Sequence, residues 1–198
     1  MKNFINKIKW KIQDLKRLPK ATYLCWKYPF LKHWNRKNRF FQTYCEYYAI
    51  PYGWRKAFGL QMIKEINDAL LRHGGKKAVK NYSIDQIKEK FGSLQWYDSN
   101  SNTEVWKICE KYESISSYTC IECGKLATVR TTGWICPYCD DCVGDRAHIH
   151  FGHKNGPSWY GWTGNIDRIP DDIWNAEEEM LNKKYGINDS SSSEEAPA

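Results

Sequence analysis

A chain of 198 residues with 41% hydrophobic content and a formal charge of +7 can support one main core with a smaller lobe. Ten tryptophans and thirteen tyrosines argue against a wholly disordered chain, and no apolar run approaches the roughly 20 residues that a membrane span requires. Lysines interrupt the N-terminus too often for a secretory apolar segment, so the expectation is a soluble intracellular protein whose close cysteine pairs are metal ligands.

The positive charge is concentrated at the start. Residues 1–40 carry twelve Lys or Arg against the single Asp14, which leaves the remainder net acidic. Phe4, Ile5, Ile8, Ile12 and Leu15 fall on one side of a helix, with Lys2, Lys7, Lys9, Lys16 and Arg17 around the rest, and Pro19 is expected to end it. In the following ATYLCWKYPFLKHWNRKNRFF, aromatic rings alternate with cations, which suits a phosphate backbone with unpaired bases. Residues 1–45 are therefore read as a basic aromatic arm, with Trp26, Lys32, Trp34, Arg36, Lys37 and Arg39 as candidate nucleic-acid contacts. An anionic membrane surface or an acidic protein would suit the same composition. The plain structural alternative is a helix packed by its apolar stripe with solvated lysines outside.

Residues 46–118 read as a compact core. From Gly53, Trp54, Phe58, Met62, Ile66 and Leu70 recur four apart, as a helix burying one stripe requires, and Gly74 with Gly75 provides a stop. SIDQIKEKFG places Ser83 and Gln86 at capping-box spacing and Ile84, Ile87 and Phe91 on one helical face, so a short helix ending at Gly92 is expected. Leu94 to Tyr97 reads as a strand. Thr103 can cap a further helix that buries Val105, Ile108, Cys109, Tyr112 and Ile115. Cys109, like Cys25 and Cys45, is read as a small core hydrophobe.

The stretch TCIECGKLATVRTTGWICPYCDDC, Thr119 to Cys142, holds five of the eight cysteines. Cys120 and Cys123 form the first CxxC of a knuckle. Cys136 with Cys139 or Cys139 with Cys142 can supply the second, after gaps of 12 and 15 residues. The longer gap lets residues 128–134 fold back as a hairpin, and Pro137 removes an amide that a knuckle starting at Cys136 would use, so the expected ligands are Cys120, Cys123, Cys139 and Cys142. Four thiolates make a closed, structural zinc site (119–145), whereas a catalytic zinc keeps a position open. A zinc deaminase would need an HxE element, which the sequence lacks. His148, His150 and His153 could form a second metal or nuclease centre, but no carboxylate or asparagine stands at a recognisable spacing, so ordinary histidines are expected.

In order, GWRKAFGLQMIKEINDAL, IDQIKEKFGSLQWYD and the cysteine stretch resemble a group of tailed-phage and prophage proteins that carry no known activity. The resemblance covers about residues 53–145. It implies a phage or prophage origin and a ribbon closed by Cys139 and Cys142, because the position of Cys136 is not usually cysteine in that group.

Residues 146–186 combine a tryptophan-rich loop with a helix starting near Asp171 or Asp172 and stopped by Gly186, and 187–198 reads as a disordered acidic tail. The expected fold is α+β: a helix-rich core with a short β element, a four-cysteine zinc ribbon holding one Zn2+, and the N-terminal arm. The expected function is that of a non-enzymatic phage accessory protein that binds nucleic acid through the arm, in the host cytoplasm or the virion. The alternative is a protein-protein adaptor or virion-associated structural protein acting on a phage or host protein. No small-molecule substrate is expected, and a membrane surface is the weaker alternative.

Overall fold

The computed structural model describes residues 17–33, 44–150 and 176–186. They form a mixed helix-and-sheet fold in which one core cluster draws on every segment from Ala21 to Ile115. The first helix, α1, includes residues 17–27. Ala21, Leu24, Cys25 and Tyr28 recur at helical spacing and are buried, and the following turn, Pro29–Leu31, buries Phe30 and Leu31. The arm expected over 1–45 is therefore not a separate unit where it is described: residues 17–33 and Cys45 belong to the core. Among the described rings and lysines of that segment, Lys20, Tyr28 and Phe30 are buried while Trp26 and Lys27 are exposed. Pro19 also lies within the helical residues rather than closing a helix; its ring holds φ near the helical value.

The central helix, α2, comprises Tyr52–Trp54, a π-helical turn at Arg55–Gly59 and Leu60–Asn81, the last part kinked at Gly75. All five stripe residues, Trp54, Phe58, Met62, Ile66 and Leu70, are buried. Side chains spaced four apart drift by about 40° per step on a regular α-helix, and the wider π turn takes up part of that drift. Gly75, at φ 59°, breaks the helical conformation where Gly74–Gly75 was expected to stop it, and a further helical turn follows.

Strands β1 (Ser83–Lys90) and β2 (Ser93–Ser99) form an antiparallel hairpin. This corrects the expected helix over 83–92. A bulge between Ile84 and Gln86 inserts Asp85 as an extra residue, so Ile84 and Ile87 face the core although they stand three positions apart. That spacing imitates a helical stripe. Phe91 and Gly92, at φ 53° and 80°, make the tight turn.

Helix α3 (Thr103–Ser116) is capped by Asn102, whose side chain accepts from the amides of Glu104 and Val105, one position before the Thr103 cap expected. It buries Val105, Cys109, Tyr112 and Ile115 in the core between α2 and β2. Glu65 of α2 ties the two helices, accepting from Lys111 at 2.8 Å and Tyr112 at 3.0 Å. The last described helix, α5 (Ala176–Tyr185), docks on α1, where buried Lys20 donates to Asn182 at 2.7 Å. Gly186 follows it at φ 64°, the stop that was expected. No helix among the described residues is long and apolar enough to cross a membrane.

Candidate metal centre

The segment after α3 folds as two knuckles and a three-stranded sheet. Strands β3 (Val129–Thr131), β4 (Pro137–Tyr138) and β5 (His148–His150) lie in the order β4-β3-β5, with β3 antiparallel to both neighbours. In the first knuckle the Gly124 amide donates to the Cys120 carbonyl at 3.0 Å, a turn that Gly124 makes with φ 79°. In the second, the Cys142 and Val143 amides both donate to the Cys139 carbonyl, which starts the single turn α4 (Asp140–Val143).

The β3-β4 return brings the knuckles face to face. One ligand atom from each of Cys120, Cys123, Cys139 and Cys142 lies within 4.8 Å of all the others, and the Cys123 and Cys139 sulfurs are 3.5 Å apart. A tetrahedral thiolate site with bonds of about 2.3 Å spaces its sulfurs by roughly 3.8 Å, so the cluster fits one metal ion. Cys120 and Cys139 are buried, and Cys123 and Cys142 are half-buried. Cys136 is buried outside the cluster. The four cysteines expected as ligands are thus the ones brought together, and Cys136 stays outside them.

Burial and the neighbouring thiols set the electrostatics of the cluster. Burial pushes Cys120 up to about 11, although the amides of Cys123, Cys139 and Glu122 oppose the shift. Burial and the adjoining thiols also push Cys142 up. At Cys123 burial acts in the same direction but is outweighed by the Lys125 amide and the three neighbouring thiols, which hold it below its usual value. A bound cation reverses such penalties by favouring every thiolate.

Three groups outside the CxxC pairs position the centre. Gly53 at the start of α2 donates its amide to the Ile121 carbonyl at 2.8 Å, and a Cβ there would lie 2.2 Å from the Cys120 carbonyl oxygen. Gly124 faces it, with its own Cβ position 2.6 Å from the Gly53 carbonyl oxygen. Arg146 clasps the second knuckle, donating to the carbonyls of Cys142 and Val143 and to Glu122, with its guanidinium 4.8 Å from the Tyr138 ring centroid. The GW at the start of the core helix was legible as a motif, but its contact with the knuckle was not; no local pattern marks Arg146.

Of the candidate nucleic-acid residues, Trp26 is 77% exposed at the end of α1 and Lys32 is half-buried. Trp34, Arg36, Lys37 and Arg39 lie outside the described residues, as do the N-terminal stripe Phe4 to Leu15, His153 and the acidic tail. His148 and His150 are exposed on one face of β5 with ring centroids 5.5 Å apart, and His148 Nδ1 lies 2.6 Å from the Arg146 carbonyl oxygen. Among the described residues neither histidine joins a metal-binding cluster. No protein-family model matches the chain, and neither curated proteins nor solved structures give a match.

Proposed function

We propose that the chain is a non-enzymatic accessory protein of a tailed phage or prophage, built around one structural Zn2+ and binding single-stranded nucleic acid with its basic N-terminal face. Cys120, Cys123, Cys139 and Cys142 would hold the ion. Four thiolates favour zinc over harder cations and leave no coordination position for substrate. The ion's contribution is rigidity, because both knuckles would be fixed against the start of α2.

The observation that carries the binding reading is Trp26. Its neighbours Leu24, Cys25 and Tyr28 are buried, yet the indole is 77% exposed and stands next to exposed Lys27. An exposed indole beside cations suits a base stacked on the ring with phosphates held alongside. Fluorescence anisotropy with labelled single-stranded and duplex oligonucleotides tests this. Trp26→Ala should weaken single-strand binding at fixed salt and leave the weaker duplex binding nearly unchanged. Absence of oligonucleotide binding to the intact protein at low salt rejects the reading.

A protein adaptor or virion component is the second reading. Phe91 and Trp134, 73% and 78% exposed, sit at the tips of two hairpins that meet where Gly92 approaches Ile135. Such an aromatic pair suits a protein partner. Salt separates the two, since phosphate contacts weaken along a log-log slope and an aromatic protein contact responds much less.

A further inference from the structure

A half-open cleft of about 680 Å³ lies between the end of α1, the turn after it, the far part of α2 and the start of β1. The segment 27–32 lines it with Lys27 and Lys32. The helical turn that follows the break at Gly75 adds Lys76 and Lys80, one turn apart on the same face. Among the described lining residues there is no carboxylate. Pro29, Phe30, Leu71, Val79, Tyr82 and Ile84 supply the apolar surface, and Asn67 and Ser83 add side-chain hydrogen-bonding groups.

We infer that this cleft is a nucleotide subsite, taking one unstacked base of a single strand onto its apolar surface with the flanking phosphates at the two pairs of lysines. The inference rests on the nucleic-acid reading above and names where the strand would run. The volume is in the range of pockets that bind small ligands and cofactors. The placement of charge identifies the class. An amphiphilic carboxylate has one charged end and needs one cationic group, whereas a nucleotide within a strand has a phosphate on each side of an apolar base. Two lysine pairs from separate segments suit the second pattern. A duplex is disfavoured, because its bases remain stacked and cannot enter. Asn67 and Ser83 would meet the edge of the base. Trp26 and Lys27 are consecutive, so a strand leaving the Lys27 side can continue onto the exposed indole.

The test measures anisotropy of a labelled oligothymidylate over a salt series, using the full chain with metal bound and two kinds of variant. Lys76→Ala with Lys80→Ala should reduce the log-log salt slope by about 1.4, since each single-strand phosphate contact contributes about 0.7. Leu71→Asp, a change at a side chain that is 42% exposed, places a carboxylate in the cleft and should weaken binding without altering metal content or circular dichroism. If the intact protein binds the oligonucleotide and both variants keep its affinity and slope, the cleft is not the subsite and the Trp26 reading survives. If the intact protein binds no oligonucleotide at low salt, both fall. Loss of a fluorescent fatty-acid probe from the cleft variants, with oligonucleotide binding unchanged, would overturn the inference in favour of a lipid anion.

Discussion

The indole nitrogen of Trp54 donates to the carbonyl oxygen of Thr119 at 2.8 Å, one residue before the first cysteine of the metal cluster. Trp54 is fully buried at the start of the central helix, so the bond fastens the first knuckle to the core. With the Gly53 amide on Ile121 at 2.8 Å, two consecutive residues hold three residues of knuckle backbone in place. The metal centre and the core are therefore one mechanical unit.

Trp54→Phe should destabilise the protein by about 1–3 kcal/mol, because the Thr119 carbonyl would be left buried without that donor. Gly53→Ala should cost at least as much and also weaken metal retention. Its methyl group would meet backbone carbonyls of the knuckle, which have less freedom to yield than a side chain. Thermal unfolding with metal content measured on the same samples checks both. A Gly53→Ala protein of unchanged stability and metal content would show that the junction is loose.

One metal per chain is expected, lost in Cys123→Ser and Cys142→Ser and retained in Cys136→Ser. Cys136 lies outside the cluster, and its amide and carbonyl are engaged with the Thr131 hydroxyl. Elemental analysis of the purified variants decides it. Metal loss from Cys136→Ser with retention in Cys142→Ser would reverse the assignment.

The same chain shows why the cysteines could be read from sequence while other features could not. A tetrahedral four-thiolate site constrains spacing so tightly that local sequence and hairpin reach identify its ligands. The stripes of α2 and α3 were legible because successive helical turns repeat their buried positions, the π turn of α2 helping to keep its spacing of four on one face. The hairpin at 83–99 was misread at its first strand, since the bulge at Asp85 shifts the alternation and gives Ile84 and Ile87 a helical spacing. The described part of the basic segment, residues 17–33, was not legible for a different reason. Its composition describes both faces together, and only the fold reveals that Leu24, Phe30 and Leu31 are inside while Trp26 is outside.

That partition changes what truncation should do. Removing residues 1–40 would strip Ala21, Leu24, Cys25, Tyr28, Phe30 and Leu31 from the core, so a destabilised or aggregated product is expected. Leu24→Ala tests the point without truncation. The side chain is fully buried, and its loss should cost about 2–5 kcal/mol in denaturant unfolding. A cost near zero would restore this segment to the role of a separable arm.

Glu113 provides a test by pH. Burial raises its carboxyl above the ordinary value; the Trp96 amide, which donates to it at 2.8 Å, works against the shift, and Glu110 and Asp98 add to it. Because the folded-state pKa lies above the unfolded one, the ionised form is the disfavoured form in the fold. Its cost is fully present above the folded pKa and disappears as pH falls below the unfolded value. Glu113→Gln keeps an acceptor for Trp96 without the charge. It should equal or exceed the parent in stability at pH 7 and lose that advantage towards pH 4. A variant that is less stable at pH 7, with the deficit shrinking in acid, would mean that the charged hydrogen bond outweighs burial.

Phe91 occupies the first central position of the hairpin turn with φ 53°, followed by Gly92 at 80°. Asn, Asp and Gly are favoured at such a position because a larger side chain crowds its own backbone, at about 1–2 kcal/mol per residue. The ring recovers little by packing, being 73% exposed, although the Lys90 ammonium lies 5.4 Å from its centroid. Gly92 must remain, since its φ of 80° strains any side chain and its Cβ position faces Ile135 and Pro137 of the other hairpin at 3.3–3.4 Å. Phe91→Asn should therefore raise stability by about 1 kcal/mol, read as an increase in the midpoint of thermal unfolding. The same variant bears on the adaptor reading. If it is more stable but binds a protein partner less well, the strained aromatic serves recognition; if stability falls, the ring packs more tightly against its surroundings than its exposure implies.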